Sequence, residues 1–235
     1  SDVLKPLKGA QIAAIAGDMA DCESMTLLKE LMCLLGSENI DCRQDGAKID
    51  PTTRAGYLFN STISGIDHAD AILLLGTNPR REAPVLNARI RKRYVAGGIR
   101  IASIGDVGDL TYPYENLGNN VSILKNLSVG KGDFAKILKS AEHPMLIIGQ
   151  GALSRNDGAA ILDLARTTAD KLGMIDENKG WNGFNLLHTA AARVGGLDLG
   201  FVPGSNGRDV ASILEGAESG DIKAVYLLGA DEINT

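Results

Sequence analysis

The sequence predicts an α/β fold, with mostly parallel sheets carrying helices on both faces. Three observations predict it. Short aliphatic runs end at or near glycine over residues 9–17, 71–76, 99–105, 143–149 and 222–230. Segments with apolar residues at helical spacing lie between some of these runs. Aromatic residues make up only 4% of the chain while glycine occurs 28 times, which suits an aliphatic core punctuated by tight turns.

Taken in order, GAQIAAIAG (9–17) reads as a buried strand bounded by glycines. CESMTLLKELMCLLG (22–36) follows as a helix with a wide apolar face that stops at Gly36. AILLLG (71–76) is the next strand. A helix over 82–94 places Ala83, Leu86, Ile90 and Tyr94 on one face. Arg89, Arg91, Lys92 and Arg93 fall largely elsewhere on it, as a solvated or partner-facing stripe. IRIASIG (99–105) and HPMLIIG (143–149) are further strands. A helix over 157–172 carries Ile161, Leu164, Ala165, Thr168 and Leu172 at helical spacing. IKAVYLLGA (222–230) is the last strand and, being aliphatic, is expected inside a sheet. Two approximate lobes, 1–140 and 141–235, are expected. A parallel strand normally leads into a helix, so the sequence reads as a piece of a longer polypeptide.

The composition narrows the function classes. With 44% hydrophobic and 23% charged residues, the chain suits a packed globular protein rather than a disordered one. A net charge of −5 argues against nucleic acid as a partner. No apolar run approaches the roughly 18 residues of a membrane helix, so no direct membrane insertion is expected. Cys22, Cys33 and Cys42 are unpaired in number and lack the close spacing of zinc or iron–sulfur ligands, which points to plain thiols in a reducing compartment.

In a parallel sheet, ligands sit at the carboxyl ends of the strands, so the loops after Leu75, Ile104, Ile148 and Leu228 are the places to search. In GTNPRREAP, Gly76 permits a sharp turn, and Thr77 and Asn78 offer side-chain hydrogen bonds. Pro79 fixes the backbone and extends Asn78. Arg80 and Arg81 are placed to meet phosphates at a helix start, or to stand solvated beside a capped turn. In GQGALSRNDG, Gly149 and Gly151 give G-x-G, but Ser154 replaces the next glycine and the helix starts late, with Asn156 or Asp157 as its cap. His68, His143 and His188 stand without a second ligand at metal-binding spacing. Asp18, Asp21, Asp106 and Asp109 follow strands, where they could bind Mg²⁺ or stand as ordinary loop carboxylates. The residues by themselves give no catalytic set and no metal site.

Several motifs add a resemblance. The Pro-Thr-x-x-Ala-Gly run at Pro51 to Gly56, Ala69-Asp70 ahead of a strand, and the Gly-Thr-Asn-Pro loop resemble the molybdopterin oxidoreductase fold, with its Rossmann-like lobes. ISGIDHADAILLLGTNPRREAPVLNARIRK, DLTYPYENLG, RNDGAAIL and LDLGFVPG are similar to one branch, the large iron–sulfur subunits of respiratory NADH:quinone oxidoreductase, or complex I. The resemblance covers nearly the whole chain. It implies a partial molybdopterin oxidoreductase-like domain, truncated and without the cysteine-rich N-terminal region whose iron–sulfur clusters (4Fe-4S and 2Fe-2S) carry electrons from flavin toward quinone.

Departures from the family pattern bear on the cofactor. Catalytic members place a Cys, selenocysteine or Ser metal ligand just before the Pro-Thr run; here the residues are QDGAKIDP. The Pro-Arg expected after the second strand is replaced by GDVGDLTYP, and the late strand ends Gly229-Ala230-Asp231-Glu232. Gly76, Thr77, Asn78, Pro79 and Arg80 therefore read as a vestigial cofactor loop, with no cofactor, metal or catalytic residue expected in this chain. The resemblance implies a non-catalytic scaffold domain in the peripheral arm of complex I. That arm lies on the cytoplasmic face of a bacterial inner membrane or the matrix side of a mitochondrial one. Other complex I subunits, the flavin-bearing NADH-binding subunit among them, are the implied partners. A working molybdopterin oxidoreductase, such as a formate dehydrogenase, would need a sulfur or selenium ligand near Lys48. A stand-alone nucleotide-binding protein would use Gly149 and Gly151.

Overall fold

The computed structural model describes residues 4–230. Its strands are β1 (Ile12–Ala16), β2 (Ile40–Asp41), β3 (Ala71–Leu75), β4 (Arg100–Ile104), β5 (Glu115–Asn116), β6 (Pro144–Gly149), β7 (Ile175–Asp176), β8 (Trp181–Asn182), β9 (Phe184–Leu187) and β10 (Ala224–Leu228). The helices are α1 (Cys22–Leu34), α2 (Thr62–Gly65), α3 (Pro79–Glu82), α4 (Pro84–Val95), α5 (Val121–Ser128), α6 (Asp133–Ser140), α7 (Gln150–Leu153), α8 (Gly158–Lys171), α9 (Arg193–Asp198) and α10 (Val210–Ser219).

These elements form two compact units. Among the described residues, one comprises 4–47 with 190–230, the other 48–189. The units therefore do not follow the sequential lobes expected at 1–140 and 141–235. The reason lies in strand pairing: β6, on the far side of that expected boundary, pairs with β3 along its length, from Ala71↔Pro144 to Leu75↔Ile148. A split near residue 140 would cut the middle of a sheet.

The unit of residues 48–189 holds a five-stranded parallel sheet in the order β5-β4-β3-β6-β9. Every residue of β3 and β6 is buried, as a central parallel strand covered on both faces requires. On one face Ile72, Leu74, Met145 and Ile147 pack with Leu86 and Ile90 of α4. The intervening residues Leu73, Leu146 and Ile148 are equally buried, and α6 packs on β3 and β6. The helix expected over 82–94 is two helices. Ala83, at φ −150° and ψ 72°, breaks it, because the ring of Pro84 disfavours helical geometry in the residue before it. Ile90 and Leu86 still face the core and Tyr94 packs against it, as their spacing implies.

The outer strands of this sheet are protected. β5 is two exposed polar residues long. β9, missed in the sequence because FNLL is too short to show a period, is covered on its free side. Phe59 bridges Asn185 in antiparallel fashion, and Leu186 N–H donates to Leu58 O at 3.1 Å. Asn185 is fully buried and accepts from Ser61 N (2.9 Å) and Ser61 Oγ (3.1 Å), which pins the covering segment.

The other unit holds a three-stranded parallel sheet, β10-β1-β2. Asp21 caps α1 by accepting from Ser24 N at 2.7 Å. Asp209 caps α10 in the same way through Ser212 N at 3.0 Å. The expectation that β10 lies inside a sheet is corrected. It is an edge strand, and Val225, Tyr226 and Leu227 are 36%, 51% and 53% exposed. Its aliphatic character does not mark a central position among the described residues, because no further strand lies beside it there.

The different positions of β3 and β10 give a direct test. Leu73→Ala, at a fully buried site in β3, is expected to lower the unfolding free energy by about 2–5 kcal/mol. Val225→Ala in β10 should cost less than about 1 kcal/mol. Urea unfolding of both variants checks the contrast, and equal losses would contradict it.

Candidate functional site

In open parallel sheets a ligand crevice forms at the carboxyl ends of two neighbouring strands from which the chain departs in opposite directions. Strand order places that point between β3 and β6 in the larger sheet; in the smaller, the carboxyl ends of β1 and β10 lie side by side. The singled-out loops meet at these points.

After β3, Gly76 turns at φ +57°, a conformation that favours glycine. It lies against α7: a Cβ added there would stand 2.7 Å from Ala152 Cβ and 3.0 Å from Ala152 N. Gly149, at the end of β6, sits on the same turn, where an added Cβ would meet Thr77 Cβ at 2.4 Å and Gly76 O at 2.6 Å. Gly151 lies against Gly76 O too. The G-x-G motif thus brings the two loops into direct backbone contact and closes the crevice. Against the expected late start, a short helix, α7, begins directly after β6 at Gln150; the longer α8 begins at Gly158, and Asp157 makes no capping bond but holds Arg155 at 2.6 Å.

Several polar groups of GTNPRREAP find partners in the chain itself. Thr77 Oγ1 donates to Glu82 Oε2 at 2.9 Å, and Asn78 N–H donates to Glu82 Oε1. Asn78 caps α3 through Arg81 N and donates its side-chain amide to Val107 O at 2.7 Å. Pro79 is buried at the first position of α3. Arg80 is paired with Asp109, which also accepts from Thr111 N at 2.8 Å. The Thr111 hydrogen bond and then the Arg80 guanidinium hold the Asp109 carboxyl below its ordinary range.

The smaller sheet repeats the pattern. A Cβ on Gly17 would stand 1.6 Å from Gly229 O, so the loops after β1 and β10 also touch. Beside them Arg193, only 2% exposed, pairs with Asp45 at 3.1 Å and lies 4.0 Å from Asp18. Its Nε has no hydrogen-bond partner. Gln44 Nε2 donates to Asp18 at 3.1 Å. The sequence signal for Arg193 was a lone arginine within AARVGG, but nothing in that stretch named its partners, which lie some 150 residues earlier in the chain. Glu82 was equally unread, as an ordinary helix residue. Asp231 and Glu232, which stand where catalytic members carry their late-strand motif, lie outside the described residues.

Other candidates are used locally. Asp21 caps α1, and its carboxyl is held low by Ser24. Asp106 accepts from Gly108 N. His188 bonds Tyr57 O at 2.6 Å through Nε2, and His143 packs edge-on to Trp181. No group of three or more His, Cys, Asp or Glu among the described residues is arranged to hold a metal. Cys22 and Cys33 are exposed while Cys42 is buried. Burial, reinforced by the Asp41 carboxylate, pushes the Cys42 thiol from 9.0 to about 12. A group that resists forming the thiolate is a poor metal ligand. The arginine stripe is also engaged at home: Arg89 lies 3.6 Å from Asp67, Arg91 donates to Thr111 O, and Arg93 donates to Gly97 O.

Three outcomes follow from this geometry. Gly76→Val should destabilise the fold by at least about 1–3 kcal/mol, whereas Arg80→Ala, which breaks an exposed pair, should change it by less than about 0.5 kcal/mol; thermal melts of both variants decide. Thiol titration of the native chain should modify Cys22 and Cys33 and reach Cys42 only after unfolding. Because the folded state holds the Cys42 proton more tightly than the unfolded chain, this contribution is complete below about pH 9 and lost as pH rises toward about 12. Stability measured across that range should fall less steeply in Cys42→Ala than in the parent.

The geometry can be set beside known proteins. The molybdopterin oxidoreductase family profile matches residues 4–235. Relatives include the NADH-quinone oxidoreductase G subunit of Rickettsia bellii (strain RML369-C), 42% identical over 233 residues. The corresponding protein of Rickettsia prowazekii (strain Madrid E) is 42% identical over 232 residues. Each alignment covers 99% of this chain and 32% of the relative, so the chain spans about a third of the length of these relatives. A solved formyltransferase/hydrolase complex (FhcABCD) from Methylorubrum extorquens, in complex with methylofuran, aligns with 100% of this chain and 72% of its own. Its TM-score is 0.57 at 19% identity, a likeness of fold alone. With parallel sheets, glycine loops at their carboxyl ends and a family match reaching from residue 4 to residue 235, the chain belongs to the molybdopterin oxidoreductase family.

Proposed function

We propose that this chain is a non-catalytic scaffold domain of the large iron–sulfur subunit of an NADH:quinone oxidoreductase. In this reading the parent enzyme passes electrons from NADH through flavin and iron–sulfur clusters to quinone. The clusters sit on cysteine-rich segments outside these residues, and this domain holds the surrounding protein in place without carrying electrons. Its partners are other complex I subunits, including the flavin-bearing one. It lies in the peripheral arm, on the cytoplasmic or matrix side of the membrane.

The observation that carries the reading is the contact of Gly149 with Thr77 and Gly76 O at the point where β3 and β6 diverge. A pterin dinucleotide needs room there and several free donors for its phosphates. The donors of Thr77 and Asn78 are taken by Glu82, and Arg80 is taken by Asp109. The residues before Pro51 offer no sulfur or selenium to a metal. The residues present do not fit the cofactor of the catalytic family members, so no chemical step is assigned to this chain. No observation favours the formate dehydrogenase reading.

The test is metal and cofactor content. The purified chain, after chelation, should contain no stoichiometric Mo, W, Fe or Zn and release no pterin or nucleotide on denaturation. About one Mo or W per chain with released pterin would overturn the proposal. In the whole enzyme, Gly76→Val should lower the amount of assembled complex while leaving NADH oxidation per assembled complex unchanged.

A further inference from the structure

Two stretches singled out in the sequence, NARIRK within α4 and DLTYPYENLG at 109–118, take no part in the function proposed above. The fold brings them together. A groove of about 300 Å³ lies between them, bounded by Tyr94 of α4, Ile99 and Ile101 after it, and Pro113 and Tyr114 of the second stretch. Ile101 lies at the start of β4, so the groove opens at the amino end of the larger sheet, away from the loops that meet at its carboxyl end.

Local contacts fix this surface. Tyr94 stacks on Tyr112 with ring centroids 6.1 Å apart, and the Tyr112 hydroxyl contacts buried Asn87 Oδ1, to which it donates at 2.8 Å. The Tyr114 hydroxyl donates to Gly108 O at 2.8 Å. Just before Tyr112, Thr111 stands at φ +71°, a strained conformation for a β-branched residue. Its N–H donates to Asp109 at 2.8 Å and its carbonyl accepts from Arg91 Nε at 3.3 Å, so the turn that presents Pro113 and Tyr114 is held from both sides.

Charge decides what fits the groove. α4 carries Arg89, Arg91, Lys92 and Arg93 and no acidic residue, in a chain of net charge −5. Arg91 lies one turn before Tyr94 on the same helix face, and its bond to Thr111 O uses one guanidinium donor of several. Arg100 lines the groove, its side chain 63% exposed and 3.8 Å from Glu115, beyond hydrogen-bonding distance. Guanidinium forks match carboxylates, and tyrosine and arginine are enriched where proteins meet. The chain packs on itself differently, mainly through aliphatic faces such as that of Leu86 and Ile90. We infer that this groove is a docking site for an acidic segment of another polypeptide. Carboxylates of that segment meet Arg91 and Arg100, and one of its apolar side chains enters between Tyr94 and Tyr114. The inference stands on this surface alone and does not rest on the proposed scaffold role.

The experiment has two arms. In the first, the 235-residue chain is titrated with a fluorescent peptide in which glutamates surround a single phenylalanine. Arg91→Glu combined with Arg100→Glu should weaken binding by about tenfold or more, the effect of losing interface anchors, and Tyr114→Ala should weaken it too, with circular dichroism showing each variant folded. Lys125→Glu combined with Lys139→Glu makes the same change of charge on α5 and α6 and should leave binding unchanged. Equal loss in the two pairs, or no binding by the parent chain, would overturn the inference. In the second arm, the chain is purified with its natural partners carrying Arg100→Lys and Glu115→Gln. A carbodiimide then joins the amine at position 100 to a neighbouring carboxylate as an amide, the reagent taking up the water released. Mass spectrometry should place the link on an aspartate or glutamate of a different polypeptide. A link only within the same polypeptide, no link at all, or binding to phosphatidylserine vesicles in place of the peptide would overturn the inference.

Discussion

Backbone contact between loops at the carboxyl ends of the sheets is the constraint on which the rest depends. Gly149 rests on Thr77 and Gly76 O, and Gly17 rests on Gly229 O. These contacts are possible only without side chains, since an added Cβ would penetrate the opposing backbone. They hold β3 beside β6, two strands that the chain leaves in opposite directions, and β1 beside β10. The alignment of β3 with β6, and of β1 with β10, is thereby fixed at the end where an α/β protein usually opens to a ligand.

Closure of that end sets the charge arrangement. Loops built to meet an anion carry donors and arginines, and buried or half-buried donors must be satisfied by something. Here the partners come from the chain. Glu82 turns back onto Thr77 and Asn78, Asp109 meets Arg80, and Asp45 meets the buried Arg193.

The two units handle their margins unequally. The larger sheet is finished on both sides, by a short polar strand and by a segment pinned to buried Asn185. The smaller sheet has an apolar edge, although its interior is packed as tightly, with every residue of β1 buried. The difference lies in the neighbours of the strands rather than in their own sequences: AVYLL and AILLL read alike, yet one is exposed and the other is not.

The sequence by itself determined the main strands. Five glycine-ended aliphatic runs became β1, β3, β4, β6 and β10, because side-chain shape and burial act locally along a strand. The apolar stripe of Leu86 and Ile90 found the core. The motifs around Pro51 and Gly76 pointed to the family. Tertiary structure alone decided the rest. It joined residues on both sides of position 140 in one sheet and set residues 190–230 with residues 4–47. It put β10 on an edge, and gave Glu82 and Arg193 their partners. The physical reason is that burial, pairing and charge neutralisation depend on neighbours distant in sequence, which neither periodicity nor local motif encodes.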